Sequence, residues 1–200
     1  MTPAHNHITI IPKPDYISYD DIHELLWKAN EKNREKGFIL GTSLLNGHQI
    51  KERIGEKGRC FVALHNGRLV GTASVRIVER NTWYMKGQIA DYCLLGVLPE
   101  FQGKHISTYL FNQIKLFSKE NNYRIVELDT AEENRKAIET YRHLGFYRVN
   151  YVHFKNADHY SVVMAYWITK NIWGVCFSYI YYHFKKIYVR GIVGYLSKQR

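Results

Sequence analysis

The sequence predicts an α/β fold: a mixed, mostly antiparallel central sheet of six to seven strands with helices on both faces. Three observations predict it. Short β-rich runs alternate along the chain with segments of helical apolar spacing. Two of the early runs meet at Asn66-Gly67, the strongest short signal for an antiparallel hairpin. Two later runs, Gln88 to Leu98 and Ile125 to Thr130, are separated by a long helical segment, the spacing of a parallel crossover pair.

In chain order, Ile8 to Ile11 reads as a short strand stopped by Pro12 and Pro14. Asp20 and Asp21 open a helix whose buried face is Ile22, Leu25, Leu26 and Ala29. It fades through the charged stretch Glu31 to Lys36 into Gly37, and a shorter helix covers Gly47 to Ile54. Cys60 to Leu64 and Leu69 to Val78 form the hairpin, Asn81 and Thr82 mark another turn, and Gln88 to Leu98 is the next strand. A polar loop, Glu100 to Lys104, leads into a helix with Ile106, Leu110, Ile114 and Phe117 on one face. Ile125 to Thr130 alternates as a strand. Asn134 can cap a helix carrying Ala137, Ile138, Tyr141 and Leu144, which Gly145 ends. Phe146 to Phe154 and Tyr160 to Trp167 close the sheet as an antiparallel pair around Asn156–His159.

The 200 residues suffice for one domain, residues 1–167, and a C-terminal extension, residues 168–200. The net charge of +10 is uneven. The body carries 22 basic and 18 acidic residues, whereas the extension has six basic residues (Lys170, Lys185, Lys186, Arg190, Lys198, Arg200) and no acidic one. Cys60, Cys93 and Cys176 are far apart and sit among apolar neighbours, so they read as buried thiols in a reducing compartment, with no metal-ligand spacing. The N-terminal residues lack a basic start and an apolar signal core, and no run is long enough to span a bilayer. These features predict a cytoplasmic protein.

The chain is organised around Cys93 to Phe117, where a strand turns sharply into a helix. The unpaired N–H groups and the dipole at such a helix start make an anion site, here proposed for the pyrophosphate of an acyl-CoA. Two motifs make that expectation specific. After a Val97-Leu98-Pro99 strand end, Gln102, His105 and Ser107 fall on the pattern Q/R-x-x-G-x-G/A. Downstream, Asn134 precedes a helix ending in Tyr141, Leu144, Gly145 and Phe146. In this order and at this separation they resemble the GNAT (Gcn5-related) N-acetyltransferases over roughly residues 8–167. His105 departs from the family pattern, which has glycine there to let the backbone approach the phosphates. Ser107, in place of glycine or alanine, is small and can donate to a phosphate.

The resemblance implies an acyl-CoA-dependent N-acyltransferase using acetyl-CoA, or another acyl-CoA, as co-substrate, with no metal. It assigns co-substrate contacts to Leu95 and Val97 on the strand, to Gln102, Gly103, Lys104, His105, Ile106 and Ser107 in the loop, and to Asn134 and Tyr141. A strand N–H would polarise the thioester carbonyl, and Tyr141 would serve the departing sulfur. With tyrosine near pKa ~10 and a thiol near ~8.5, full proton transfer is uphill by about 2 kcal/mol, so a hydrogen-bond role suits Tyr141 better. Asp91, eleven positions before Gln102, is the candidate base, with Glu79 a weaker substitute. Each has a plainer reading: Tyr141 packed at a helix end, Asp91 a satisfied strand carboxylate, Asn134 a cap.

The amine acceptor would be selected by Trp27 to Leu45 and Tyr147 to Tyr160. Loss of the loop glycine leaves a second reading open, a fold that binds acyl-CoA with weak or no catalysis. In the extension, Trp173, Cys176, Phe177, Ile180, Phe184, Ile187 and Tyr188 share a helical face opposite Ser178, Tyr182, Lys185 and Lys186. That face suits packing on its own domain or on a homodimer partner, or peripheral contact with an anionic inner-membrane surface. Sparse basic residues without a reading motif argue against nucleic acid.

Overall fold

A computed structural model of the chain describes residues 8–35, 41–153, 159–169 and 172–197. The elements are β1 (Ile8–Pro12), α1 (Tyr19–Ala29), α2 (Glu31–Arg34), a 3-10 turn (Gly41–Leu44), α3 (Gly47–Ile54), β2 (Arg59–His65), β3 (Arg68–Asn81) and β4 (Lys86–Val97). A second 3-10 turn (Pro99–Phe101) is followed by α4 (Ile106–Glu120), β5 (Ile125–Ala131), α5 (Arg135–His143), β6 (Tyr147–His153), β7 (Tyr160–Trp167) and α6 (Ile172–Ser197). The strands form a seven-stranded sheet in the order β1-β2-β3-β4-β5-β7-β6. The pairs β1/β2, β2/β3, β5/β7 and β6/β7 are antiparallel. The mixed, mostly antiparallel fold expected from the sequence is the one observed.

The chain divides into two compact units, one of residues 8–78 and 90–120 and one of residues 79–89 and 121–197. In the first, α1 starts at Tyr19, one residue before the aspartates expected to open it, because Ser18 is the cap. The Ser18 hydroxyl accepts from the Asp21 N–H at 3.0 Å, and the Asp21 carboxylate accepts from the Ser18 N–H at 2.7 Å. Asp20 is then free to accept from the Gly47 N–H at 3.1 Å, which ties α1 to the start of α3. Between them lies a core of Ile22, Leu26, Ile50, Ile54, Val62 and Leu94. Each such side chain contributes about 1.5–3 kcal/mol by leaving water. The helix α1 lies close on β4: a Cβ added to Gly96 would stand 3.0 Å from Leu26 and 3.1 Å from Leu25.

The hairpin between β2 and β3 has Asn66 at φ +51 and Gly67 at φ +78, the mirror-image turn that Asn-Gly favours. In the second unit, β3 runs on to Asn81, past the expected stop at Val78. The Thr82 N–H closes the following turn on the Met85 carbonyl at 2.8 Å. Trp83 anchors it by donating to the Val149 carbonyl at 3.2 Å and packing its ring 5.0 Å from that of Tyr181. The expected β6/β7 pair forms, but β7 inserts between β5 and β6. Its run Ser161 to Ala165 is buried, as a central strand requires. Phe154 and most of the turn expected at Asn156–His159 lie outside the described residues.

The helix α6 packs on β6 through the face that looked polar. Ser178 and Tyr182 are buried there, and the Tyr182 ring meets that of Tyr151 edge-on at 6.0 Å. Below them Glu132 accepts from Lys186, from the Tyr151 hydroxyl and, at 2.7 Å, from Arg190. Phe177, Ile180, Phe184, Ile187 and Tyr188 point outward and are exposed. The stripe that apolarity alone would bury is the outer one.

Candidate active site

The first unit holds the strand–loop–helix segment. The strand β4 is irregular: Leu94, buried, has φ +55, a conformation costly for a leucine and one that locally re-aims the backbone ahead of Leu95 and Val97. The strand then ends on a short 3-10 turn. The Gln102 side chain donates to the Val97 carbonyl at 3.1 Å, fastening the loop to the strand end. Gly103 has φ +82 and His105 φ +59, so two residues of this four-residue loop are left-handed. Alternation of this kind turns successive N–H groups toward one side, a concavity suited to anions. The loop Gln102 to His105 is exposed, while Ile106 beyond it is buried and roots α4. The His105 carbonyl receives the Thr108 and Tyr109 N–H groups at 3.0 and 3.1 Å, which starts the helix. The first N–H groups of α4, at Ile106 and Ser107, have no acceptor within the helix and follow directly on the loop. Lys104 lies over the Phe101 ring, its ammonium 4.7 Å from the centroid.

The same unit contains Asp91, which is buried and accepts from Arg76 Nε at 2.5 Å. The ion pair is the kind of partner that the plainer reading, a satisfied strand carboxylate, requires. Two positions on, burial and then the Asp91 charge push the Cys93 thiol up to about 12. Burial likewise pushes the Cys60 thiol up. Both remain protonated near neutrality, which removes their value as nucleophiles.

The second unit holds Asn134 and Tyr141. Asn134 is the N-cap of α5, its side-chain oxygen accepting from the Ala137 N–H at 3.3 Å. Tyr141 is half-buried, one turn before the helix end, its ring edge-on to Phe146 at 5.9 Å. The Phe146 N–H donates to the Tyr141 carbonyl at 3.0 Å, and Gly145 takes φ +93 between them. The neighbouring polar side chains are engaged elsewhere: Arg142 pairs with Glu139 at 2.9 Å, and His143 Nδ1 meets the Glu139 carbonyl at 2.8 Å. Glu79, on β3, is exposed.

A buried acid that the sequence reading did not single out is Glu127 on β5. It accepts from Arg80 Nε at 2.7 Å and from the Tyr84 hydroxyl. Burial and then the Glu127 charge drive the Tyr84 hydroxyl well above its ordinary value, so it stays a donor. The signal was faint, a single glutamate at an inward position of an alternating strand. Among the described residues, no group of three or more His, Cys, Asp or Glu side chains is arranged to hold a metal.

Residues 19–146 match the acetyltransferase (GNAT) family. An uncharacterized N-acetyltransferase of Methanocaldococcus jannaschii is 41% identical over 89 residues, a match that spans 43% of this chain and 38% of that protein. Among solved structures, an N-acetyltransferase from Staphylococcus aureus Mu50 superposes with a TM-score of 0.62 at 18% identity, over 81% of this chain and 98% of that one. The ribosomal-protein-S18-alanine N-acetyltransferase from Escherichia coli gives 0.61 at 16%, over 82% and 96%. The Arabidopsis thaliana NAA60, solved with a bisubstrate analogue, gives 0.60 at 17%, over 82% and 100%.

Proposed function

Because the chain belongs to the acetyltransferase (GNAT) family, we propose that it moves an acetyl, or longer acyl, group from acyl-CoA to a primary amine by direct attack in a ternary complex. The observation that carries the reading is the left-handed backbone of Gly103 and His105 immediately before a fifteen-residue helix. It supports an anion-binding role for a loop whose sequence, with histidine at the family's glycine position, does not promise one.

In this reading the N–H groups of Gly103 to Ser107 bind the pyrophosphate, since that of Gln102 already donates to the Pro99 carbonyl at 3.2 Å, and Lys104 and Ser107 add a charge and a hydroxyl. The β4 backbone beyond Leu94, at Leu95 and Val97, binds the pantetheine arm, and one of its N–H groups donates to the thioester carbonyl, where negative charge develops during attack. Asn134 keeps its cap bond through oxygen, and its amide nitrogen is the group that family resemblance assigns to a co-substrate contact. The Tyr141 hydroxyl donates to the departing sulfur. Direct transfer is supported by the buried Cys60 thiol and the half-buried Cys93 thiol, both held protonated, which leave no thiolate to accept the acyl group beside the strand among the described residues. The Arg76 pair argues that Asp91 positions β4 and does not act as the base, so the amine is proposed to lose its proton to water.

The experiment is to incubate the protein with acetyl-CoA and a panel of primary amines and to follow free thiol. Turnover is expected on at least one amine, and Tyr141→Phe should lower kcat by about tenfold to a hundredfold, as for loss of one hydrogen bond to developing charge, with little change in CoA binding. Thermal stabilisation by CoA without turnover on any amine would favour the binding-only reading. Absence of any CoA effect would sink both.

A further inference from the structure

We propose that the outer face of α6 is a peripheral docking surface for an anionic lipid bilayer. Phe177, Ile180, Phe184, Ile187 and Tyr188 recur at helical spacing on the solvent side of this 26-residue helix, each between 54% and 75% exposed. Exposed aromatic and aliphatic side chains in one continuous row mark an interaction surface. The helix does not need this row for its own fold, because its opposite side is already seated on β6 through Ser178, Tyr182 and the Glu132 cluster.

Charge identifies the occupant. Residues 168–200 contain no acidic side chain, and of their six basic ones Lys186 and Arg190 are drawn inward to Glu132, so Lys185 is the helix's cation at the apolar row among the described residues. Lys185 borders the apolar row on one side, its ammonium 5.5 Å above the Tyr188 ring. On the other side, Cys176, Tyr179 and His183 wall a cleft of about 630 Å³ that is also lined by Arg148 and by Arg142, the latter paired with Glu139, the one acid of the lining. Arg148 Nε is buried there without a hydrogen-bond partner. An apolar row flanked by cations matches acyl chains beneath anionic headgroups. A second copy of the chain fits worse, since pairing two such helices would bring basic flank against basic flank. No described helix is long and apolar enough to cross a membrane, so the contact is one of lying on the surface.

The test is co-sedimentation of the full chain with vesicles of pure phosphatidylcholine and of phosphatidylcholine with one third phosphatidylglycerol. Binding should be at least about tenfold tighter to the anionic vesicles, as expected if two or more cations each contribute, and should weaken as salt rises. The double variant Ile180→Asp/Phe184→Asp changes only exposed positions, so its melting temperature should match the parent while vesicle binding falls at least about tenfold. Equal binding of parent and double variant would overturn the proposal. So would failure of the parent to bind anionic vesicles, or a dimer in solution that the double variant dissociates while vesicle binding is absent. Neither readout requires acyl-transfer activity.

Discussion

His105 shows what a single residue contributes at the loop. It occupies a left-handed conformation, φ +59, at the position where the family pattern has glycine. A non-glycine residue there carries about 1–2 kcal/mol of strain. Replacing it with glycine removes that strain but adds about 0.4–1 kcal/mol of unfolded-state entropy. His105→Gly should therefore raise stability modestly, by up to about 1 kcal/mol, as an increase in the urea midpoint; a clear decrease would mean that the imidazole makes contacts worth more than the strain. Asp91 gives the opposite case. Asp91→Asn leaves Arg76 without its carboxylate, but the Arg76 side chain is 29% exposed, so water takes up part of the loss. The cost should be about 2–3 kcal/mol, below the range for a fully buried pair. If Asp91 is instead the base, the same variant, assayed while folded, also loses about a hundredfold or more in kcat. The sequence makes Asn134 and Gly145 legible because capping is local chemistry. The Arg76–Asp91 and Tyr84–Glu127 pairs join residues on different strands or turns, and only strand register brings them together.

Among the elements, α6 depends most on one polar cluster. Burial of Glu132 works against its charge, but hydrogen bonds from Lys186, Tyr151 and Arg190 outweigh it and hold the carboxyl down to about 2, from an ordinary 4.5. A carboxyl depressed in the folded state stabilises fully above its unfolded value and stops doing so as pH falls through the folded one. Stability should thus decline between about pH 5 and pH 2. Glu132→Gln should flatten that decline and lower stability at neutral pH, measured by circular dichroism melts across the range. An unchanged acid limb in the variant would remove Glu132 from the account. Element boundaries were legible wherever turn or cap chemistry marks them: Asn66-Gly67, the Gly47–Ile54 helix and the Tyr160–Trp167 strand all fall as the sequence predicts. The insertion of β7 between β5 and β6 was not, because strand order follows from which faces pair and not from any local pattern. The orientation of α6 was misleading for a related reason. Its apolar row is real, but the tyrosine and charge chemistry of the other side satisfies Glu132, and that fixes which side turns inward.

For the whole molecule, the charge distribution and the family membership point to separate tasks. The body, nearly balanced in charge, carries the acyl-transfer segments, while the excess of basic residues lies in the extension that the lipid proposal uses. Acyl transfer by this chain depends on the loop Gln102 to Ser107 binding the pyrophosphate of acyl-CoA. Calorimetric titration of acetyl-CoA into the parent protein and into Ser107→Glu tests it most directly. A glutamate in the first turn of α4 favours the helix dipole, so the fold should persist. The account predicts saturable binding to the parent and at least about tenfold weaker binding to the variant, a loss of about 1.4 kcal/mol or more. Equal affinity in the two proteins, or no binding to the parent, would contradict it.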